Sequence, residues 1–354
     1  MKKDVILQGD CVELLKTLTD KSIDVIFADP PYFMQTQGEL LRASGEKFSG
    51  VEDEWDQFDS LEHYDTFCTA WLKECQRVLK DNGTIWVIGS FQNIFRIGYI
   101  MQNLGFWILN DIIWSKPNPV PNFRGSRFCN AHETLIWCAK NKNSKYTFNY
   151  KTMKFLNENK QEKSVWNIGI CIGNERLKGR DGKKIHSAQK PEALLEKIIL
   201  SSSKKGDIVL DPFFGTGTTG AIAKKFKRHY IGIEQNETYI KISESRIRQI
   251  SSIENDISTG KLETKPPKVS LKALQDVKLL PQKAKLYDKN KNYICLLLDD
   301  EKVSDGEETL SIHQMAAKHL GKENYNGWQF FYIYHNDSFI SLNNLRYEYQ
   351  KYPH

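Results

Sequence analysis

Four consecutive residues, Asp29-Pro30-Pro31-Tyr32, follow the apolar run 23–28 and place a carboxylate, two prolines and an aromatic ring side by side. Consecutive prolines fix φ and hold the residue before them extended, so the four make a rigid turn. If the apolar run is a parallel strand, the turn lies beyond its carboxyl end, where open α/β sheets bind ligands. The group suits an exocyclic amine such as adenine N6, whose lone pair is delocalised into the ring. Two acceptors, the Asp29 carboxylate and the Pro30 carbonyl, would take the two amine hydrogens, draw the nitrogen toward sp³ geometry and release that pair, with Tyr32 stacked on the base. An Asp-capped Pro-Pro turn with no chemistry is the plainer use of the same residues.

A second motif, Asp211-Pro212-Phe213-Phe214-Gly215-Thr216-Gly217-Thr218-Thr219-Gly220, lies between the apolar run 207–210 and the helical pattern 221–226. Gly215, Gly217 and Gly220 satisfy G-x-G-x-x-G in its strand-to-helix setting, and Glu234 closes the next apolar run nineteen residues after Gly215. A nucleotide-type cofactor is indicated: glycines permit a tight turn and close approach of a ligand, and a strand-end Glu accepts both ribose hydroxyls. The spacing alone does not separate a dinucleotide from S-adenosylmethionine. The Asp-Pro-Pro-Tyr turn does, because a dehydrogenase has no use for it.

Positioning these groups requires a sheet. Runs at 5–7, 22–28, 83–89, 111–114, 134–139, 207–210 and 229–234 have strand character, and 61–79 and 190–203 repeat apolar residues at helical spacing. The alternation predicts an α/β, Rossmann-like sheet with helices on both faces over residues 1–250. Polar residues 251–268, ending near Pro266-Pro267, read as a linker, and 269–354 as a small β-containing domain with eleven basic and eleven acidic residues. Residues 34–55, polar and with three glycines, read as a long loop suited to a lid over a bound base.

The net charge is +6, but residues 116–190 hold sixteen Lys or Arg against five Asp or Glu, while the rest of the chain holds 34 against 39. That distribution fits a phosphate-contacting face, and equally a solvated lysine-rich surface. Seven cysteines without a CxxC pair suggest neither a zinc cluster nor a disulfide framework. His132-Glu133 lacks a third ligand at zinc-like spacing, which favours a structural or target-pocket role and no metal. With no signal peptide and no apolar run of spanning length, a cytoplasmic protein without a membrane partner is expected.

Together the two motifs resemble those of methyltransferases that act on adenine N6 or cytosine N4. Their order, with the catalytic tetrapeptide first, the basic segment next and the glycine-rich motif last, is that of the β class. Residues 27–33, 48–55, 86–103, 118–137, 187–191 and 211–220, with 308–315 and 345–349 in the tail, are similar to adenine methyltransferases of the HinfI and CcrM type. The resemblance implies S-adenosylmethionine as methyl donor, double-stranded DNA as substrate, base flipping, and methylation of adenine in 5′-GANTC-3′. It implies Asp29, Pro30, Pro31 and Tyr32 as the catalytic set. Cofactor contacts would come from Asp10 and Cys11 (in Gly9-Asp10-Cys11, toward its adenine), from Lys190 (in the run 186–191, toward its methionine carboxylate), and from Asp211, Phe213, Gly215, Gly217, Thr218 and Glu234. Residues 116–186 would read DNA, with Lys116, Arg124 and Arg127 as candidate contacts and the tail from 269 as an accessory DNA-binding domain. A homodimer and a cognate restriction endonuclease are partners it allows.

Other uses of the same residues stay open. Asp10 serves equally as the N-cap of a helix over 12–18, and Lys190 as a helix opener. Cytosine N4 uses a similar turn that often begins with Ser, so Asp29 favours adenine. RNA adenine methylation and a regulator that senses S-adenosylmethionine without catalysis are the remaining alternatives.

Overall fold

The computed structural model describes residues 2–33, 58–122, 125–173, 175–177, 189–253, 257, 267–335 and 338–349. They fall into two compact units, residues 1–262 and 263–354. The segment read as a lid, 34–55, lies outside the described residues.

The first unit contains, in chain order, β1 (Val5–Gln8), α1 (Cys11–Thr17), β2 (Ile23–Ala28), α2 (Leu61–Val78), β3 (Leu79–Gly89), α3 (Ile94–Asn103), β4 (Trp107–Ser115), β5 (His132–Ala139), α4 (Tyr150–Leu156), β6 (Val165–Asn167), α5 (Glu192–Ser202), β7 (Ile208–Asp211), α6 (Thr218–Lys225), β8 (His229–Glu234) and α7 (Glu237–Gln249). Eight strands form one sheet in the order β1-β8-β7-β2-β3-β5-β4-β6. β2 sits centrally and is apolar on both faces, as a strand covered on two sides must be. Its Ile26 and Ala28 pack in the layer with Leu15, Trp71 and Ile97 of α1, α2 and α3. Val25 and Phe27 pack in the opposite layer with Met153, Leu195 and Ile222 of α4, α5 and α6. The expected α/β sheet with helices on both faces is therefore present.

It is mixed, not wholly parallel. β5 runs antiparallel to both β3 and β4. In the connection from β4 to β5, the described residues among 116–131 form no helix, and its base is tied where the Lys116 amide donates to the Ala131 carbonyl at 2.8 Å.

The second unit contains α8 (Leu271–Asp276), β9 (Lys285–Tyr287), β10 (Tyr293–Leu297), β11 (Val303–Ser304), β12 (Thr309–Leu310), α9 (Ile312–His319), α10 (Gly327–Phe330), β13 (Tyr332–His335), β14 (Ser338–Ser341) and α11 (Leu342–Tyr349). Its six short strands make a sheet in the order β12-β11-β10-β9-β13-β14, with every pair antiparallel. Leu274, Leu286, Phe331 and Leu345 lie in its core. Among the described residues, no helix is long and apolar enough to cross a membrane.

Candidate active site

The Asp29 turn leaves the carboxyl end of β2, and buried side chains brace it from behind. Tyr64 of α2 donates its hydroxyl to the Pro31 carbonyl at 2.8 Å, and Asn93 Nδ2 donates to that hydroxyl at 3.0 Å. Phe33 takes a left-handed φ of 50°, which costs a non-glycine residue about 1 to 2 kcal/mol. Its ring is held there against Tyr64, with centroids 5.7 Å apart, and edge-on to Phe58 at 5.6 Å. The turn is rigid because prolines restrict it and an aromatic cluster clamps its exit.

In front of the turn lies a compact set of charges from four elements. Lys190, just before α5, places Nζ 2.7 Å from Asp29 Oδ2 and 3.8 Å from Glu133 Oε2. Glu133, in β5, accepts from the Tyr32 hydroxyl at 2.9 Å through Oε2 and pairs through Oε1 with Lys116, the residue after β4. The Lys190 ammonium also lies 5.2 Å from the centre of the Tyr32 ring, and that of Lys116 lies 4.7 Å from the Trp114 ring. Lys190 is only 8% exposed, so solvent screens these interactions little.

The environment sets the ionisation of each group. Burial raises the Asp29 carboxyl above the usual range against the opposing pull of Lys190. Burial acts on Glu133 in the same sense, but Lys190 and Lys116 outweigh it and hold that carboxyl below the usual range. For Lys190, burial is outweighed by Asp29 and Glu133, and the ammonium is held more firmly than usual. Burial and the two carboxylates push the Tyr32 phenol well up, so it remains a neutral donor.

The glycine-rich motif occupies the neighbouring strands at the same end of the sheet. Parallel pairing aligns Gln8 with Glu234 and Asp211 with Gly232, so Asp10, Glu234, Asp211 and Asp29 follow one another along the carboxyl ends of β1, β8, β7 and β2. Asp10 caps α1, accepting from the Val12 and Glu13 amides at 2.9 and 3.0 Å, and also accepts from Gln235 at 3.3 Å. Glu234 accepts from the amides of Gly215 and Asn236, both at 2.8 Å. Asp211 accepts from the Phe213 amide at 2.9 Å and from the Thr219 hydroxyl at 2.6 Å. Burial, with Asp29 and Glu234 nearby, pushes the Asp211 carboxyl up to about 7.

Phe213 is half-buried, edge-on to Trp71 at 5.2 Å. The Thr218 hydroxyl accepts from Arg246 at 2.9 Å, and Arg246 pairs with Glu192 at 2.7 Å. Cys11 is buried, and burial pushes its thiol up to about 12. The glycines have more packing duty than a ligand fingerprint suggests. Gly217 adopts a φ of 77°, and a Cβ there would lie 2.6 Å from Ser243 of α7. A Cβ at Gly220 would lie 2.6 Å from the Phe214 ring, and one at Gly232 would strike the same ring.

The structure brings Asp29, Tyr32, Lys190 and Lys116 together around Glu133. Lys190, expected beside the cofactor's carboxylate, has its ammonium on Asp29; Lys116, expected on DNA, has its ammonium in the pocket. Arg127 is exposed, with its guanidinium 5.5 Å from the Phe91 ring, and Arg124 lies outside the described residues. Sequence reading placed the His132-Glu133 pair in a structural or target-pocket role without finding its partners; His132 is exposed and Glu133 is the one turned into the pocket. Nor is the basic segment a single face. Residues 116–131 join β4 and β5 at the end of the sheet where Asp29 lies, whereas 140–145 follow β5 at the opposite end, where Lys145 bonds Asn82 and Ser144 bonds Asp81. Among the described residues, no group of three or more His, Cys, Asp or Glu is placed to hold a metal ion.

Residues 23–245 match the N6/N4 methyltransferase family model, described as DNA methylase. The chain is 62% identical over 346 residues to the type II methyltransferase M.HinfI of Haemophilus influenzae, covering 98% of this chain and 96% of that protein. It is 41% identical over 246 residues to the type II methyltransferase M2.LlaDCHI of Lactococcus lactis subsp. cremoris, covering 69% and 89%. Among solved structures it is similar to M1.HpyAVI in complex with SAM, with a TM-score of 0.50 and 27% identity over 68% of this chain and 98% of that one. It also shares the fold of the cytosine-N4-specific PvuII DNA methyltransferase, with a TM-score of 0.54 and 22% identity over 73% and 92%. The matched stretch runs from the strand before Asp29 to the helix after Glu234 and so contains both motifs, and the chain belongs to the N6/N4 DNA methylase family.

Proposed function

We propose that this DNA methyltransferase uses S-adenosylmethionine to methylate N6 of the adenine in 5′-GANTC-3′. The observation that carries the reading is the placement of the Asp29 turn on β2, beside the Asp211 end of β7 and one strand away from the Glu234 end of β8. An acceptor for an amine and a site for a nucleotide-like cofactor thereby share one edge.

The residues present fit that cofactor. It carries a ribose diol and a sulfonium cation, and Asp10, Glu234 and Asp211 form a row of carboxylates with no ion pair among the described residues. Glu234 would hold the ribose, Asp10 and Phe213 the adenine side, and Asp211 with Gly215, Gly217 and Thr218 the turn beneath it. When bound, the cofactor supplies a methyl group already activated for in-line displacement. The chain's own residues then have to align, desolvate and accept hydrogen bonds.

The Pro31 carbonyl is taken by Tyr64, which leaves the Pro30 carbonyl as the turn's acceptor beside Asp29. Tyr32, tethered by its hydroxyl to Glu133, would present its ring to a base, and the adenine must leave the duplex stack to reach it. DNA would approach over the loop 116–131, where Arg127 and the almost fully exposed Phe128 face solvent. Asp at the head of the turn favours adenine over cytosine. The identity to M.HinfI over nearly the whole chain supports GANTC, and the type II name of that relative supports a restriction endonuclease of the same specificity as a partner.

Plasmid DNA treated with the protein and cofactor should resist a nuclease that cuts unmethylated GANTC, and sequencing should place one N6-methyl mark per site strand. Full cleavage after demonstrated methyl incorporation would overturn the specificity. Marks on cytosine would overturn the choice of base.

A further inference from the structure

Asp29 must accept hydrogen bonds from an amine whose nitrogen gains positive charge as its bond to the methyl carbon forms, yet Lys190 sits on the same carboxylate at 2.7 Å. An ammonium there weakens the acceptor and repels the developing charge. Glu133 offers the same lysine another place, since its Oε2 lies 3.8 Å from Nζ. We propose that Lys190 is a shared cation which leaves Asp29 for Glu133 when the target amine engages Asp29, making Glu133 a positioning residue for the transfer. The inference rests on the methylation reading above.

The division between moving and fixed members follows from how each is held. Glu133 sits in β5 and is gripped by Lys116 through one oxygen and by Tyr32 through the other. It stays ionised because two ammoniums flank it. Lys190 carries its charge on a flexible four-carbon stem, so a displacement of about 1 Å converts the longer contact into a hydrogen-bonded pair. The charge around the pocket is conserved: two carboxylates and two ammoniums remain, and only the pairing changes. The aromatic wall follows the move, because Tyr32 is both the residue tethered to Glu133 and the ring over which the Lys190 ammonium lies at 5.2 Å.

The test is a double-mutant cycle on single-turnover methylation of a GANTC duplex by the full chain, with cofactor affinity and melting temperature measured alongside. Glu133→Gln should slow transfer about 10- to 100-fold while cofactor affinity stays within about three-fold. If Glu133 acts by receiving Lys190, removing the lysine makes it irrelevant, and Glu133→Gln with Lys190→Gln should transfer within about three-fold of Lys190→Gln alone. A double variant slower than that, or a Glu133→Gln rate within about three-fold of wild type, overturns the proposal. Should Glu133→Gln fail to fold because Lys116 is left buried and unpaired, the same cycle in a Lys116→Gln background removes that charge and reads the same coupling. Failure of the methylation reading would look different, since the wild-type protein would then show no transfer to this duplex.

Discussion

The two halves of the sheet end that carries both motifs treat negative charge in opposite ways. On the β2, β5 and β4 side, Asp29 and Glu133 are met by Lys190 and Lys116, and the cluster is neutral. On the β1, β8 and β7 side, Asp10, Glu234 and Asp211 are hydrogen-bonded by amides, a hydroxyl and a glutamine side chain, and among the described residues none of them is in an ion pair. The neutral side already has its charges placed and suits an uncharged amine. The anionic side is held by neutral dipoles and gains most when a cation arrives.

The largest break in this contrast should come from Asp29→Ala. Methyl transfer should fall by about a thousand-fold or more, with cofactor affinity by calorimetry within a few-fold of wild type. Equal loss of cofactor affinity would mean the two halves are not separate. Glu234→Ala should act on the other side, weakening cofactor binding by about 1 to 3 kcal/mol through the ribose hydroxyls.

Asp211→Asn sharpens the comparison through pH. The folded carboxyl is up near 7 against an ordinary 3.8, so the folded protein binds a proton that the unfolded chain releases between those values. Its contribution to stability is fully present below 3.8 and is lost as pH rises to about 7. The asparagine variant should therefore gain on wild type between pH 4 and 8, ending about 1 to 3 kcal/mol more stable in denaturant titrations, while binding the cofactor more weakly. Wild-type cofactor affinity should rise over pH 6 to 8 as Asp211 ionises; a flat profile would remove it from the anionic row.

The smallest effect concerns DNA. Arg127→Ala should weaken duplex binding and reduce its salt slope by about one unit, leaving cofactor affinity alone. Lys142→Ala, at the opposite end of the sheet, should change neither. Equal losses in fluorescence anisotropy titrations would restore the basic segment to a single face.

What could be read from the sequence was local. Apolar runs reported seven of the eight strands of the first unit's sheet, the three-residue β6 being missed, and the Asp29 and Gly215 motifs announced themselves because each is contiguous. Strand direction was not legible: a run such as 134–139 is apolar whichever way it points, and β5 runs antiparallel to both β3 and β4. Nor were the partners of Glu133 and Lys190. Lys190 is separated by 161 residues from Asp29, and Tyr32 by 101 from Glu133, distances that periodicity does not span. A clue was available in a Glu just before the apolar run 135–139 of a strand, since a charge drawn toward a buried strand needs a partner.

Phe214 carries a consequence for how this family can vary. Its ring fills the volume that side chains at 220 and 232 would otherwise occupy. Such a site cannot drift one residue at a time: an alanine at 220 or 232 has no room until 214 shrinks, and a smaller 214 beside two glycines leaves a hole. Among related sequences these three positions should therefore change together, with part of the glycine signature inherited as the imprint of a ring instead of a ligand.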